Sequence, residues 1–381
     1  MRIGIDGRVT SAHFPGIGRY CLNLITELLK LETEHRWFVL YDPRHNPELA
    51  ALATAQRGSS ARFVALPVGV RSPAEQAALP AMVAQLRLDL FHATYYALPP
   101  LLRGRLAVTL YDLIPQLYPT YWPNPIVRRV IRGWGALALR RAATVLTLSE
   151  ATRQDLGRVY GPTATARPIV VTPCGAEPRF LTLGQQRTRS GAEFEAPERP
   201  YFLYVGINKP HKNLVRLVQA FDLYGAQGGD SDLIIAGRWD ARYPEPATEV
   251  DHRRLGGRVR FRHDVSEAEL AALYTGAQAF AFPSLYEGFG FPVLEAMAAA
   301  LPVLAGSASS LPEIGGDAVL YCDPTDVRSI ADGLSHLGGD ADLRRTLSHA
   351  GYERARAFTW RRTAEATLAA YEATAHAVTS G

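Results

Sequence analysis

Short apolar runs alternate along this chain with stretches whose apolar residues recur every three or four positions. In the first half the runs are "RIGID", "RWFVLY", "ARFVAL", "LDLFHA", "LAVTLYD", "TVLTLS" and "PIVVTP". Amphipathic stretches such as "GRYCLNLITELLKL" and "PIVRRVIRGWGALALRR" lie between them. Near-continuous apolar runs suit strands buried on both faces, and intervening helices imply parallel pairing. Over 181–199, "LTLGQQRTRSGAEFEAPER", the periodicity fails and the composition turns polar, which reads as a linker. The pattern restarts with "YFLYVG", the helix "NLVRLVQAFDLYG", "DLIIAG", "VRFRHD", the helix "SEAELAALYTG", "AFAFPS", the helix "PVLEAMAAA", "PVLAG" and "AVLYCD".

The chain is therefore expected to be α/β with two Rossmann-like, doubly wound domains. The first covers 1–180 and is joined by the linker 181–199 to a second over 200–358. A C-terminal helix over 359–381 is able to pack back on the first. Two such sheets, carboxyl edges facing across a cleft, would place a ligand between the domains.

A length of 381 residues suits two domains, and 47% apolar with 20% charged residues excludes wholesale disorder. No apolar run approaches the ~18 residues of a membrane span. Asp6 interrupts the first run too early for a signal-peptide core. Cys21, Cys174 and Cys322 show neither zinc nor disulfide spacing, so the expected location is the cytoplasm. The net charge of +4 is too small to argue for nucleic acid, but it is unevenly spread. Residues 1–180 hold 21 Arg and Lys against 12 Asp and Glu, whereas the remainder holds 20 against 25. A basic first half suits an anionic partner.

Only three of the 41 basic residues are lysines, and two of them, Lys209 and Lys212, fall within "GINKPHKNL". Lysine is a mobile point charge suited to phosphate. The pair lies between a predicted strand and helix, where helix N–H groups and dipole add positive potential. A second stretch, "FPSLYEGFGFPVLEAMAAALPVLAG", places Glu287 after a strand. Gly288, Phe289 and Gly290 follow as a loop whose backbone can approach a ligand closely, and Pro292 suits a first helical turn. Glu295 lies one turn inside that helix. Two acceptor-only carboxylates around backbone donors suit polyol hydroxyls on either side of a diphosphate.

"EGFGFPVLE", together with "YVGINKPHKNL", "GIGRYCLNLITEL", "YDLIP" and "PTDVRSIADGL", resembles glycosyltransferase family 4 over nearly the whole chain. The resemblance implies the GT-B architecture and retaining transfer of a hexose from a nucleotide diphosphate sugar to a hydroxyl of a glycan or lipid-linked acceptor. It implies that Glu287 contacts the donor sugar, Glu295 holds the ribose, Lys212 holds the diphosphate and Gly288 to Gly290 touch sugar and diphosphate. Val265 falls where backbone meets the base, and Gly206 and Asn208 complete the donor loop. Many members carry arginine directly after the strand's glycine, where this chain has Ile207; Lys209 is the candidate replacement. Gly16, Gly18 and Arg19 fall in a loop expected over the diphosphate.

A nicotinamide fingerprint is the rival for that loop. It is weakened because Cys21 stands where the third glycine belongs and eight residues separate Asp6 from Pro15. Members commonly have His-Asp where this chain has Tyr111 and Asp112; a phenol can hydrogen-bond a sugar hydroxyl but carries no positive charge, so either the histidine is dispensable here or His92, which otherwise reads as a satisfied buried histidine, compensates. A scaffold that binds sugar nucleotides without turnover would rest on Tyr111 and Ile207 alone. No cofactor is expected besides the donor, with GDP-mannose placed first and a UDP-sugar second. The triplets Asp230 to Asp232 and Asp340 to Asp342 read as turn and cap residues, so no metal is expected. Finally, Tyr118, Tyr121, Trp122 and Trp134 mix with Arg128, Arg129, Arg132, Arg140 and Arg141, a pattern compatible with peripheral contact with an anionic membrane.

Overall fold

The computed structural model describes residues 1–11, 15–56, 61–121, 124–189 and 199–376. It divides into two compact units: Met1–Gly175 together with Thr359–Gly381, and Ala176–Phe358.

Unit 1 is built on strands β1 (Arg2–Asp6), β2 (Arg36–Tyr41), β3 (Ala61–Ala65), β4 (Leu90–Ala93), β5 (Leu106–Thr109), β6 (Ala142–Thr147) and β7 (Ile169–Val171). They form one sheet in the order β3-β2-β1-β4-β5-β6-β7, every pair parallel. The order reverses between β1 and β4, so the loops after those strands open at a topological switch point. The Pro15–Leu28 helix packs Tyr20, Cys21, Leu24, Ile25 and Leu28 fully inside, the helical spacing seen in "GRYCLNLITELLKL".

The last helix, Trp360–His376, belongs to unit 1, and residues 377–381 lie outside the described residues. Thr363 donates to the Pro173 carbonyl at 2.6 Å. The Tyr371 hydroxyl lies 2.6 Å from His92 Nδ1, while His92 Nε2 lies 2.7 Å from Thr109 Oγ1. His92 is fully buried on β4 with both ring nitrogens engaged, and burial pushes its pKa down to about 3. It is a neutral core histidine that ties the last helix to the sheet.

Unit 2 holds β8 (Tyr201–Val205), β9 (Asp232–Ala236), β10 (Val259–Arg262), β11 (Ala279–Phe282), β12 (Val303–Gly306) and β13 (Leu320–Cys322) in the order β10-β9-β8-β11-β12-β13, again all parallel. Its switch point lies between β8 and β11. The stretch expected as a linker differs in structure. Residues 178–189 form a helix, Pro178–Arg189, while 190–198 lie outside the described residues. Arg187 donates to the carbonyls of Tyr274, Thr275 and Ala277, and a side chain at Gly184 would run into the Ala298 carbonyl. That helix docks through Phe180, whose ring meets Tyr274 edge-on, together with Gly184 and Arg187, two positions that carry no apolar signal. The three cysteines are buried and free, and no described helix is long and apolar enough to cross a membrane.

Two outcomes follow from His92. Tyr371→Phe leaves a buried ring nitrogen without its partner and is expected to cost about 1–3 kcal/mol in urea unfolding. Because the folded pKa lies below the ordinary 6.5, the unfolded chain binds the extra proton. Stability from this group is complete above about 6.5 and falls on acidification toward 3, by about 1.4 kcal/mol per pH unit. Unfolding curves with no change between neutrality and the acid range would contradict a neutral, buried His92.

Candidate functional site

The loops that leave β8 and β11 at the unit 2 switch point carry the lysines and Glu287. After β8 the chain makes a short turn, Pro210–Lys212, before the Leu214–Ala226 helix. After β11 it runs through Pro283–Gly290 into the Phe291–Ala298 helix, which Gly290 opens with φ 114° and Pro292 follows in the first turn. A left-handed φ of this kind is costly for any residue with a Cβ, and a side chain here would also press on Leu311.

Lys212 and Glu287 meet across these loops. Lys212 Nζ lies 2.7 and 2.8 Å from the two Glu287 carboxylate oxygens, and it also sits 5.2 Å from the centre of the Phe282 ring. Their side chains are only 13% and 8% exposed. A pair so desolvated holds each partner strongly and leaves a costly charge if one is removed.

The loops are fastened by atoms that do not face the pair. Leu285 N–H and the Ser284 hydroxyl both donate to the His211 carbonyl, at 2.8 and 3.0 Å. Asn213, in the left-handed region at φ 63°, donates its amide to the carbonyls of Pro283 and Pro324, at 2.9 and 2.6 Å. Three strand ends are thereby joined through one side chain. Glu287 N–H donates to Ser309 Oγ at 2.8 Å, and Ser310 donates to the carbonyls of Glu287 and Phe289, at 2.9 and 2.7 Å. His211 is buried, and desolvation together with Lys212 and Lys209 pushes its pKa down to about 2. It adds no charge beside the lysines.

Around this centre, the buried Asn208 donates to the carbonyls of Asp240 and Tyr243 and accepts from Asp240 N–H. It binds the loop after β9 to the lysine loop. Gly206 and Gly237 lie in close backbone contact: a Cβ on Gly237 would stand 2.6 Å from the Gly206 carbonyl. Lys209 precedes the turn, and its charge helps hold Asp240 at a pKa of about 2, an effect dominated by the hydrogen bond from Arg242. Glu295 is buried on the Phe291–Ala298 helix with the Tyr274 hydroxyl 3.4 Å away. Gly288 is half-buried beside Phe289, which packs its ring on Phe291 and Phe358. Val265, half-buried, lies just before the capping box of Ser266 and Glu269. The structure thus gathers Lys212, Glu287 and their supports, and sets Val265 on the neighbouring loop after β10.

In unit 1, Gly16, Gly18 and Arg19 lie within the first turns of the Pro15–Leu28 helix, not in a loop before it. A Cβ on Gly18 would stand 2.9 Å from the Val9 carbonyl, while at Gly16 nothing lies within 4 Å. Arg19 is half-buried near the Cys174 thiol. Tyr111 is buried; its hydroxyl donates to the Thr94 carbonyl at 2.8 Å and its ring meets Tyr20 edge-on. Burial pushes its pKa well above the usual value. That engagement makes Tyr111 a core residue of the sheet's edge. Asp112 accepts from Ile114 N–H at 2.9 Å and opens the Ile114–Leu117 helix. Trp122 lies outside the described residues.

Neither aspartate triplet gathers ligands. Asp232 belongs to β9 and pairs with Arg260, while Asp340 caps a helix and Asp342 pairs with Arg345. Among the described residues no three His, Cys, Asp or Glu side chains come together. Asn213, Ser309 and Ser310 were not singled out from sequence. Asn213 stood inside "GINKPHKNL", but its partners lie on two other strand ends.

Two family profiles match the chain: "Glycosyltransferase Family 4" over residues 15–180 and "Glycosyl transferases group 1" over 185–354. The chain is 30% identical over 303 residues to O-antigen chain mannosyltransferase B of Escherichia coli, covering 74% of each. Its fold matches a sucrose-phosphate synthase from Thermosynechococcus elongatus with a TM-score of 0.72 at 20% identity, covering 99% of this chain and 100% of the other. It also matches HepE from Anabaena, solved with UDP and glucose, at 0.70 and 18% identity, covering 98% and 100%.

Because both members of the Lys212–Glu287 pair are buried, Lys212→Met is expected to destabilise unit 2 by about 3 kcal/mol. Adding Glu287→Gln should recover part of that loss by removing the stranded charge. Denaturant unfolding of the two single variants and the double variant measures it; strictly additive losses would contradict the pairing.

Proposed function

The chain belongs to glycosyltransferase family 4, and on that premise we propose that it is a retaining, metal-independent hexosyltransferase acting from a nucleotide diphosphate sugar. The observation that carries this reading is the Lys212–Glu287 juxtaposition at the unit 2 switch point, where open α/β sheets bind ligands. In the structure the two groups neutralise each other. A bound donor offers each a better partner: diphosphate oxygens for Lys212 Nζ, sugar hydroxyls for the Glu287 carboxylate.

Cleavage at the anomeric carbon builds oxocarbenium character there and negative charge on the departing diphosphate. A cation held at the diphosphate lowers the energy of that charge more in the transition state than in the ground state. Lys212 fills this role, with Lys209 supplying the second charge where Ile207 cannot. Glu287 orients the sugar rather than attacking it, and its backbone is held for this by the Ser309 and Ser310 bonds. The acceptor hydroxyl enters from the leaving-group side, and the diphosphate takes its proton. Backbone groups of Gly288, Phe289 and Gly290 bind sugar and diphosphate, Glu295 binds the ribose and Val265 meets the base. Gly206 and Asn208 shape the donor loop. The acceptor, a glycan or lipid-linked hydroxyl, is assigned to unit 1.

Mannose is the first assignment for the sugar, supported by the E. coli mannosyltransferase, and GDP-mannose the corresponding donor. A UDP-sugar is second, supported by the UDP complex of HepE.

A donor that binds only the folded chain must raise its melting temperature. A thermal-shift series over GDP- and UDP-sugars is expected to respond most to GDP-mannose. NMR of the product should show the donor's anomeric configuration kept, with chelator leaving the rate unchanged. Glu287→Ala and Lys212→Ala should each lower kcat/KM at least about a hundredfold. Near-normal turnover in either variant, an inverted product, or loss with chelator restored by manganese would each remove the corresponding part of the proposal.

A further inference from the structure

Three loops at the carboxyl edge of the unit 1 sheet bring together groups that the donor chemistry does not use. Tyr95 and Tyr96 follow β4, Asp112 follows β5, and Arg71 stands in the loop after β3. In the sheet β2 and β1 lie between β3 and β4, so the loop after β3 must cross them to reach Tyr95. Arg8, just after β1, holds it across. Its guanidinium donates to the Val68 carbonyl at 3.1 Å and to the Glu75 and Asp6 carboxylates at 2.6 Å each. All three side chains are buried, and the second Glu75 oxygen accepts Arg71 N–H at 2.6 Å. Arg71 has φ 66°, a left-handed backbone costly for a residue with a Cβ, and Glu75 fixes it there.

The tyrosine rings lie 4.9 Å apart, tilted by 33°, and both are half-buried. The exposed Arg71 guanidinium stands 5.7 Å from the centre of the Tyr95 ring. Burial pushes the pKa of both phenols up; Arg71 opposes this at Tyr95, and the Asp112 carboxylate adds to it at both. Asp112, half-buried, accepts from Ile114 N–H, and an ionised carboxylate has room for further donors. An aromatic face, a cation and an anion thus share one edge of the sheet, next to the switch point between β1 and β4, where open α/β sheets bind ligands.

We propose that Tyr95, Tyr96, Arg71 and Asp112 form the acceptor-sugar site of unit 1, so that the hydroxyl receiving the hexose belongs to a pyranose of an existing saccharide. The inference rests on reading the chain as a hexosyltransferase. The C–H face of the pyranose lies on the Tyr95 ring, its hydroxyls donate to Asp112, and Arg71 yields the ring face and donates to the hydroxyl edge. These groups select their ligand together. A purely apolar acceptor would leave a carboxylate and a guanidinium facing it without partners. A phosphate would be repelled by Asp112. A pyranose, with an apolar face and hydroxyls that both donate and accept, uses every group. Arg8 and Glu75 are positioning residues, acting through the Arg71 backbone.

The test is saturation-transfer difference NMR on the whole chain with methyl α-D-mannopyranoside and methyl α-D-glucopyranoside. At least one is expected to bind, with ring C–H protons on one face saturated more than those on the other. Tyr95→Leu should weaken binding about tenfold, and Tyr95→Phe, which keeps the ring, should stay within about twofold of the parent. Asp112→Asn can still accept from Ile114 N–H but lacks the charge, and should lose about tenfold. Unchanged melting of each variant checks that it folds. No saturation of either glycoside by the parent chain, signals that survive both Tyr95→Leu and Asp112→Asn, or equal loss in Tyr95→Phe and Tyr95→Leu would overturn the proposal. The transferase reading fails separately. Tyr95-dependent glycoside binding without any thermal shift from sugar nucleotides would support the saccharide site and remove the donor, whereas a donor shift without Tyr95-dependent binding would do the reverse.

Discussion

Lys212 and Glu287 can face each other in a buried setting only because strand order brings β8 and β11 side by side. Three helices and three strands separate the two residues along the chain, yet the reversal of strand order makes their loops adjacent. Bringing two charges out of water is costly, and the excellent geometry of the pair offsets that cost only while the loops hold still. The surrounding hydrogen bonds supply that rigidity. Asn213 joins the ends of β8, β11 and β13, the His211 carbonyl receives two donors from the β11 loop, and Ser309 and Ser310 fix the backbone on either side of Glu287.

The same principle explains how the supports are distributed. Groups that would disturb the local charge are kept neutral or already paired. His211 is desolvated beside two lysines and remains uncharged, and Asp240 is taken up by Arg242. Asn208 binds the β9 loop without adding charge. The centre is thus a cation and an anion held within hydrogen-bond distance, in surroundings that compete for neither.

Unit 1 handles its polar groups differently. Its buried histidine is consumed in fastening the last helix through Tyr371, and Tyr111 spends its hydroxyl on the Thr94 carbonyl. Its Pro125–Arg141 helix carries five arginines, and Asn124 caps its start by accepting from Ile126 N–H.

Much of this was legible from the chain alone. Apolar runs long enough for strands but too short for helices, alternating with helical spacing, determine two parallel sheets, because strands buried on both faces permit little else. The lysine pair in an arginine-rich chain and "EGFGFPVLE" marked both loops of the centre. Other features needed three dimensions. The Pro178–Arg189 helix docks through Phe180, Gly184 and Arg187, and two of those three positions carry no apolar side chain to read as a period. His92 reads from sequence as a buried histidine, but its partner Tyr371, like the Thr94 carbonyl that takes the Tyr111 hydroxyl, appears only in the fold. Asn213, Ser309 and Ser310 act on carbonyls and amides distant in sequence, and short polar side chains carry no local sign of which backbone they will meet. The sequence determined which groups were available and the tertiary structure decided which of them face each other, because a hydrogen bond or ion pair depends on a few tenths of an ångström between atoms that the chain itself keeps far apart.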